Sequence, residues 1–252
     1  MRTEVTFFND TSSSYLAEYE RETPEGYSFR VRREKVFELL PSGANKHLLD
    51  LASGPGIMIK GLRERGYRVM CVDAAPEMIE LAKKIAPGDV DVACEVGDAY
   101  SLRFADASFE VVTAMGLIEY LDDEHRYLAE TNRIVAPEGI AIITVPNVWS
   151  PWRIWNRFLR MLIKIIKPHK QTKLLHREYT RTRMRDLLVQ HGFEIEMVYY
   201  YNFKIIPYPF DRIFPRATVR FSALCEKLDN TPLRFLGTGF IVKAKKKRLQ
   251  QG

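Results

Sequence analysis

Three acids in the first half of the chain, each at or just past the end of a short apolar run, are the residues placed to hold a nucleotide-like ligand. Asp50 lies at the end of KHLLDL, Asp73 closes YRVMCVD and Asp98 follows DVACEVG. Beyond the first run comes ASGPG, whose glycines Gly54 and Gly56 let the backbone approach a ligand closely. Alone, a Gly-Pro-Gly stretch is a turn. Asp73 stands twenty-three residues after Asp50, at the end of the next run. An acid there can accept hydrogen bonds from both hydroxyls of a ribose, and can equally cap the helix opened by PEM. Asp98 repeats the placement, with a cap or turn as its other use. Chance does not readily set three such acids in order.

Those acids need strands to carry them. KHLLDL, YRVMCVD, DVACEVGD, FEVVTAMG and GIAIITVPN read as strands. Between them IMIKGLRERG reads as a helix closed by Gly66, PEMIELAKKIA as a helix with proline in its first turn, and DDEHRYLAETNRIVAPEG as a helix stopping near Pro137–Gly139. FEIEMVYYYNF and LGTGFIVKAKKK supply the sixth and seventh strands. The alternation predicts an α/β fold: a doubly wound, seven-stranded, mostly parallel sheet with an antiparallel last strand and helical inserts. Ligands of such sheets bind at the carboxyl ends of the strands. Asp50, Gly54, Asp73, Asp98 and Gly116 all fall at or just after those ends.

In LLDLASGPG, VDAAPEMIELAKK, EVGDAYSLRFADASFEVVTAMGLIEYLDD and NRIVAPEGIAIITVPN, the chain resembles the class I S-adenosylmethionine-dependent methyltransferases. It is most similar to the small-molecule group that includes the ubiquinone- and menaquinone-biosynthesis enzymes. The resemblance is good over about residues 36–147 and continues in outline through HREYTRTRMRDLLVQHGFEI. It implies S-adenosylmethionine as cofactor, with Asp50, Gly54 and Gly56 lining its methionine end and Asp73, beside Ala74, holding the ribose. It further implies that Asp98 and the Ala99 backbone meet the adenine, and that Met115 and Gly116 border the sulfonium. Ala52 stands where the family has its first loop glycine. That is tolerable if the residue keeps φ below zero and costly if the position is left-handed. The G-x-G-x-x-G nicotinamide fingerprint is absent, which argues against a dehydrogenase.

Methyl transfer needs alignment and exclusion of water more than acid–base chemistry. A hydroxyl acceptor would gain from a base, and O-methylation is favoured slightly over C- or N-methylation by family habit. The candidates are Glu119 and Tyr120, after the fourth strand, and His176. The family often has histidine at the Tyr120 position. His125 reads as a surface residue, and His191 as a favourable charge at a helix end. The chain lacks the [ND]-P-P-[FY] motif of amino-group methylation, a Pro-Cys dipeptide and a magnesium-binding acid cluster, so no metal is expected.

From Gly139 to Arg177 the sequence contains no acid. Arg153, Arg157, Arg160, Lys164 and Lys167 recur at helical spacing as one basic stripe, opposite apolar residues that include Trp155 and Phe158, with Trp152 at the start. This pattern predicts either a lid helix packed by its apolar face on the domain, or a helix lying in a bilayer interface. A second insert, at about residues 203–235, is rich in Phe, Ile and Pro and is expected to wall an apolar pocket together with the first. Lys243–Arg248 add a basic run that could favour anionic lipid. Residues 1–45 read as an N-terminal helical lid, 46–147 as the cofactor core, 148–177 as the basic amphipathic insert, and 178–252 as the rest of the core. Tyr15, Tyr19 and Tyr27 could close over the cofactor or simply pack the terminal helix.

The 252 residues carry a net charge of +6, which suggests an anionic partner. Cys71, Cys94 and Cys225 form no disulfide or metal pattern, so a reducing cytosol is the default. MRTEVTFFNDTSSSY has no signal-peptide core, and no apolar run reaches the roughly 20 residues of a spanning helix. The leading expectation is methylation of a hydrophobic or lipid-linked small molecule, in the cytoplasm or peripherally on a membrane's cytoplasmic face. A soluble sugar or secondary metabolite is the alternative acceptor. An RNA substrate is disfavoured because the positive charge follows an amphipathic helix with no RNA module beside it. A cofactor-binding protein without activity stays open, and the sequence does not address oligomeric state.

Overall fold

The computed structural model describes residues 3–166 and 176–248. One sheet holds seven strands: β1 (His47–Leu51), β2 (Arg68–Asp73), β3 (Val92–Val96), β4 (Phe109–Ala114), β5 (Val135–Pro146), β6 (Phe193–Tyr201) and β7 (Gly239–Lys246). Their order is β3-β2-β1-β4-β5-β7-β6. Pairing is parallel from β3 across to β5, and only β7 runs against its neighbours, β5 and β6. This is the fold class expected from the sequence. From β1 the chain winds outward to β2 and β3, then returns to place β4 on the other side. The switch point therefore lies between the carboxyl ends of β1 and β4.

The helices are α1 (Thr3–Glu20), α2 (Pro24–Leu39), α3 (Ile59–Glu64), α4 (Pro76–Lys83), α5 (Glu124–Ile134), α6 (Pro151–Ile166), α7 (Arg181–Gln190), α8 (Phe210–Ile213) and α9 (Pro215–Cys225). Side-chain caps start three of them. Thr23 accepts from Gly26 N at 3.1 Å, Asp123 from Arg126 N at 3.0 Å and Thr180 from Arg183 N at 3.0 Å. β1 and β4 are buried almost throughout, which is why they read as continuous apolar runs. Successive residues serve opposite faces of the sheet: Leu49 and Val112 join one core, Leu48 and Val111 the other.

Two boundaries differ from expectation. α5 ends at Ile134, and Val135 already pairs with Phe109 in β5. The next paired residue of β5 is Ile140, opposite Val111, so the segment holding Pro137 and Gly139 bulges out of the strand, with Glu138 at φ 66°. A proline tolerated in a bulge looks, in sequence, like a helix stop. At the amino end, α1 begins at Thr3, well before the tyrosine-rich stretch. The link between β6 and β7 contains α8, α9 and two 3-10 turns, Glu226–Asn230 and Pro232–Leu236.

Candidate functional site

A cavity of about 240 Å3 opens at the carboxyl ends of β1, β2 and β4. Of the residues singled out in the sequence, Ala52, Gly54, Asp73, Ala74, Ala99, Met115, Gly116 and Tyr120 line it. Tyr15, with Phe8 and Val5, brings α1 against it as well. Asp50, Gly56, Asp98, Glu119 and His176 do not belong to its wall.

The loop after β1 passes through three left-handed residues: Ala52 at φ 57°, Gly54 at 53° and Gly56 at 79°. A side chain on Gly54 would meet nothing within 4 Å, so glycine is wanted there for its backbone angle and leaves the loop open to a ligand. Gly56 is different. A Cβ there would lie 2.6 Å from Ile59 Cδ1 and 3.0 Å from Ala82 Cα, so this glycine lets the loop press onto α4 behind the cavity. Ala52 adopts the costly left-handed conformation, at about 1–2 kcal/mol for a residue with a side chain.

Asp73 ties two loops together. Its Oδ2 accepts from Gly54 N and its Oδ1 from Ala75 N, both at 2.9 Å. Burial raises its pKa, and the Ala75 and Gly54 amides oppose that rise. Each oxygen keeps a further lone pair for a ligand hydroxyl. Asp50 instead lies wholly inside, accepting from Thr113 Oγ1 at 2.8 Å, with no partner for its Oδ2 among the described residues. Burial pushes its carboxyl up to about 7. Asp98 shapes a turn by accepting from Tyr100 N at 3.1 Å.

Other parts of the wall gave no sequence signal. The Tyr100 hydroxyl donates to the Asp122 carboxylate and accepts from the amides of Asp122 and Asp123 at 3.0 and 3.1 Å. This locks the loop before α5 to the turn after β3, and Tyr100 and Asp122 both face the cavity. Arg32, from α2, packs behind Gly116: its Nη1 lies 2.9 Å from where a Cβ of that residue would sit. With φ at 70° as well, position 116 admits only glycine comfortably.

The three candidate bases differ in position. Tyr120 lies in the wall between Phe8 and His176, its ring edge-on to each at 5.3 and 5.6 Å. Burial, and then the charge of Glu119, raise its phenol, so it stays protonated at neutral pH. Glu119 is buried beneath; burial raises its carboxyl while Arg32 pulls it back, and its Oε2 has no partner among the described residues. His176 keeps an exposed edge, yet crowding of its ring by protein, and then Arg153, lower its pKa. It is therefore mainly neutral at pH 7. Tyr19 stacks on Phe29 at 5.1 Å and Tyr27 donates to Glu226 at 3.2 Å, both outside the cavity wall. His125 and His191 meet each other at 3.1 Å, between α5 and the end of α7.

α6 sits the opposite way up from a packed lid. Arg153 donates to Thr238 O at 2.7 Å, Arg157 donates to Val148 O at 3.0 Å, and both pair with the half-buried Glu178, at 3.4 and 2.7 Å. The leading arginines are thus spent on the body of the domain. Trp155, Phe158, Met161 and Ile163 point outward at 40, 47, 55 and 44% exposure. The half-buried Trp152 ring instead lies beneath Lys204, whose Nζ is 4.4 Å from its centre. Arg160 is exposed. Lys164 has only its backbone described, in α6, and Lys167 lies outside the described residues. No described residue of either insert lines the cavity at the strand ends; the two inserts instead line an apolar groove of their own, with Trp149, Ile154, Trp155, Phe158 and Phe235. Among the described residues no group of three or more His, Cys, Asp or Glu could hold a metal ion, and no helix is long and apolar enough to cross a membrane.

Residues 49–143 match the family described as methyltransferase domain. A demethylmenaquinone methyltransferase of Thermus thermophilus is 36% identical over 122 residues, covering 47% of this chain and 54% of that protein. A 2-methyl-6-phytyl-1,4-hydroquinone methyltransferase of Synechocystis is 30% identical over 107 residues, covering 42% and 33%. The chain thus matches about half or less of these relatives' length. In solved structures the fold recurs over nearly the whole chain. One chain of the Haloferax volcanii complex between the Trm112 methyltransferase activator and a methyltransferase superposes with a TM-score of 0.68 at 18% identity, covering 96% of this chain and 98% of that one. An S-adenosylmethionine-dependent methyltransferase of Mesorhizobium loti gives 0.61 at 18% identity, covering 84% and 96%.

Proposed function

We propose that this chain is a class I S-adenosylmethionine-dependent methyltransferase, a reading supported by its domain match and its fold, and that it methylates a hydrophobic small molecule at a membrane surface. The observation that carries the cofactor half is Asp73, whose carboxylate is pinned between Gly54 N and Ala75 N at the edge of the cavity. The residues present fit the cofactor. Asp73 offers free lone pairs to ribose hydroxyls, the left-handed Gly54 leaves the loop open, and Ala99 with Val72 and Leu121 makes an apolar slot for a base. Met115 and Gly116 would stand at the methyl-donating end. When bound, the cofactor supplies an electrophilic methyl on a sulfonium.

The chain's own part is alignment and exclusion of water. Phe8 and Tyr15 of α1 cover the cavity, and Tyr120 forms its inner edge. A neutral His176 against the Tyr120 ring is the group suited to accept a proton from a hydroxyl acceptor. The outward apolar face of α6 supports a hydrophobic, lipid-borne acceptor. The relatives named for quinone methylation support the same class.

The test uses methyl-labelled S-adenosylmethionine with purified protein and a membrane-containing cell extract, followed by partition of the product. Label is expected in the organic-soluble fraction and is expected to vanish with Asp73→Ala. Label confined to the aqueous or macromolecular fraction would refute the acceptor class. Full labelling by Asp73→Ala would refute the cofactor assignment.

A further inference from the structure

Among the described residues, sixteen large apolar side chains of the two inserts are exposed, seven around α6 and nine in the link between β6 and β7. Within that link Ile213, Phe214 and Leu224 reach 59, 58 and 69% exposure, beyond any described side chain of α6. A monomer rarely shows so much contiguous apolar surface without a use. Between residues 205 and 225 the exposed charges have one sign. Arg212, Arg216 and Arg220 are exposed among these residues. The only acid between 205 and 225 is Asp211, which is buried and paired with Lys204 at 3.1 Å. The next two acids turn inward onto β6 and its end: Glu226 accepts from Asn202 N at 2.9 Å and Asp229 from Tyr200 N at 2.6 Å.

The link and α6 form one surface. Trp155 Nε1 donates to Tyr208 O at 2.9 Å, and Phe235 completes a groove with Trp149, Ile154 and Phe158. Behind them Lys204 clasps both inserts, ion-paired to Asp211 at the start of α8 and lying over the Trp152 ring at the start of α6.

We propose that residues 205–235 are a second membrane-docking element, which with α6 makes a composite face for an anionic bilayer. This rests on the surface reading above and extends it to a segment that reading did not use. Ile213, Phe214, Phe221 and Leu224 enter between the headgroups, and Arg212, Arg216 and Arg220 meet lipid phosphates. A second copy of the chain is a poor occupant, because a two-fold contact would set these arginines against one another.

The experiment is vesicle flotation of the full chain with phosphatidylcholine alone and with phosphatidylglycerol added. Wild type is expected to float with the anionic vesicles. The exposed double variant Phe214→Asp/Leu224→Asp and the single variant Trp155→Asp are each expected to lose binding by about tenfold or more, while their thermal shifts with S-adenosylmethionine stay unchanged. Wild-type flotation by a double variant that Trp155→Asp abolishes would confine docking to α6 and overturn the proposal. So would a wild type that ignores vesicles and instead self-associates or binds an acidic protein. Labelling of an organic-soluble acceptor in detergent is measured on the same proteins, so failure of the acceptor reading registers separately from failure of docking.

Discussion

Asp50→Asn tests whether the carboxyl buried behind the cavity wall takes up a proton on folding. The carboxyl is sealed under β1 with one oxygen bonded to Thr113 and the other unpaired among the described residues, and burial shifts it from 3.8 to about 7. Folding therefore takes up a proton. The stabilisation from this group is complete below about pH 4 and is lost as pH rises toward and past 7. A gap of roughly three pH units, at about 1.4 kcal/mol each, makes the loss about 4 kcal/mol at most. Asparagine keeps an acceptor for the Thr113 hydroxyl and does not titrate. Any constant cost of its unpaired amide cancels when each protein is compared with itself across pH. Urea unfolding of both proteins from pH 4 to 8 is the assay. Wild type should lose several kcal/mol relative to the variant over that range, with the largest divergence above pH 6. Cofactor affinity should stay near the wild-type value, because the group stands behind the wall. Parallel stability profiles would show that Asp50 is charged in the fold and would refute the reasoning.

Ala52→Gly should raise stability by about 1 kcal/mol by relieving the left-handed alanine, less glycine's own entropic cost. In a chain of this size that is about 2 °C in Tm, measured by thermal unfolding; a fall in Tm would contradict the strain at this residue. Tyr100→Phe leaves the amides of Asp122 and Asp123 without their acceptor, a loss of about 1–3 kcal/mol. Because Tyr100 and Asp122 face the cavity, calorimetry should show weaker S-adenosylmethionine binding as well. Lys204→Met strands the buried Asp211 and should cost about 3–5 kcal/mol, whereas Lys204→Met/Asp211→Leu should recover most of it in a denaturant titration.

The strand–helix alternation and the acids at strand ends were legible because each is a local pattern: an apolar run, a turn, an amphipathic stretch. Asp73 could be placed from spacing alone. Arg32 could not, since its approach to Gly116 joins elements far apart in sequence. Nor could the wall residue Tyr100, whose hydroxyl reaches twenty-two residues onward to Asp122. The orientation of α6 shows the limit most clearly. Its basic stripe and apolar stripe are the same whichever side faces the domain. What decides is Glu178, the first acid after the long acid-free stretch, which takes two of the arginines and so turns Trp155 and Phe158 outward. The bulge in β5 was hidden for a related reason: Pro137 and Gly139 stop a helix and tolerate a bulge equally well.

The position of β7 has a consequence for how the molecule is made. It lies between β5 and β6, yet it is the seventh strand to be synthesised, and Ile140 must wait for Lys245. The half-sheet β3-β2-β1-β4-β5, which frames the cavity, can assemble from contacts already present in a growing chain. β6 has no partner in the sheet until β7 arrives, and the whole of the apolar link between them emerges first. Closing that distant pairing is a slow step. Through it the chain holds an open strand edge and a string of uncovered phenylalanines, the kind of surface on which nascent chains aggregate or recruit chaperones. A lipid surface close to the site of synthesis would cover those side chains before the sheet is complete.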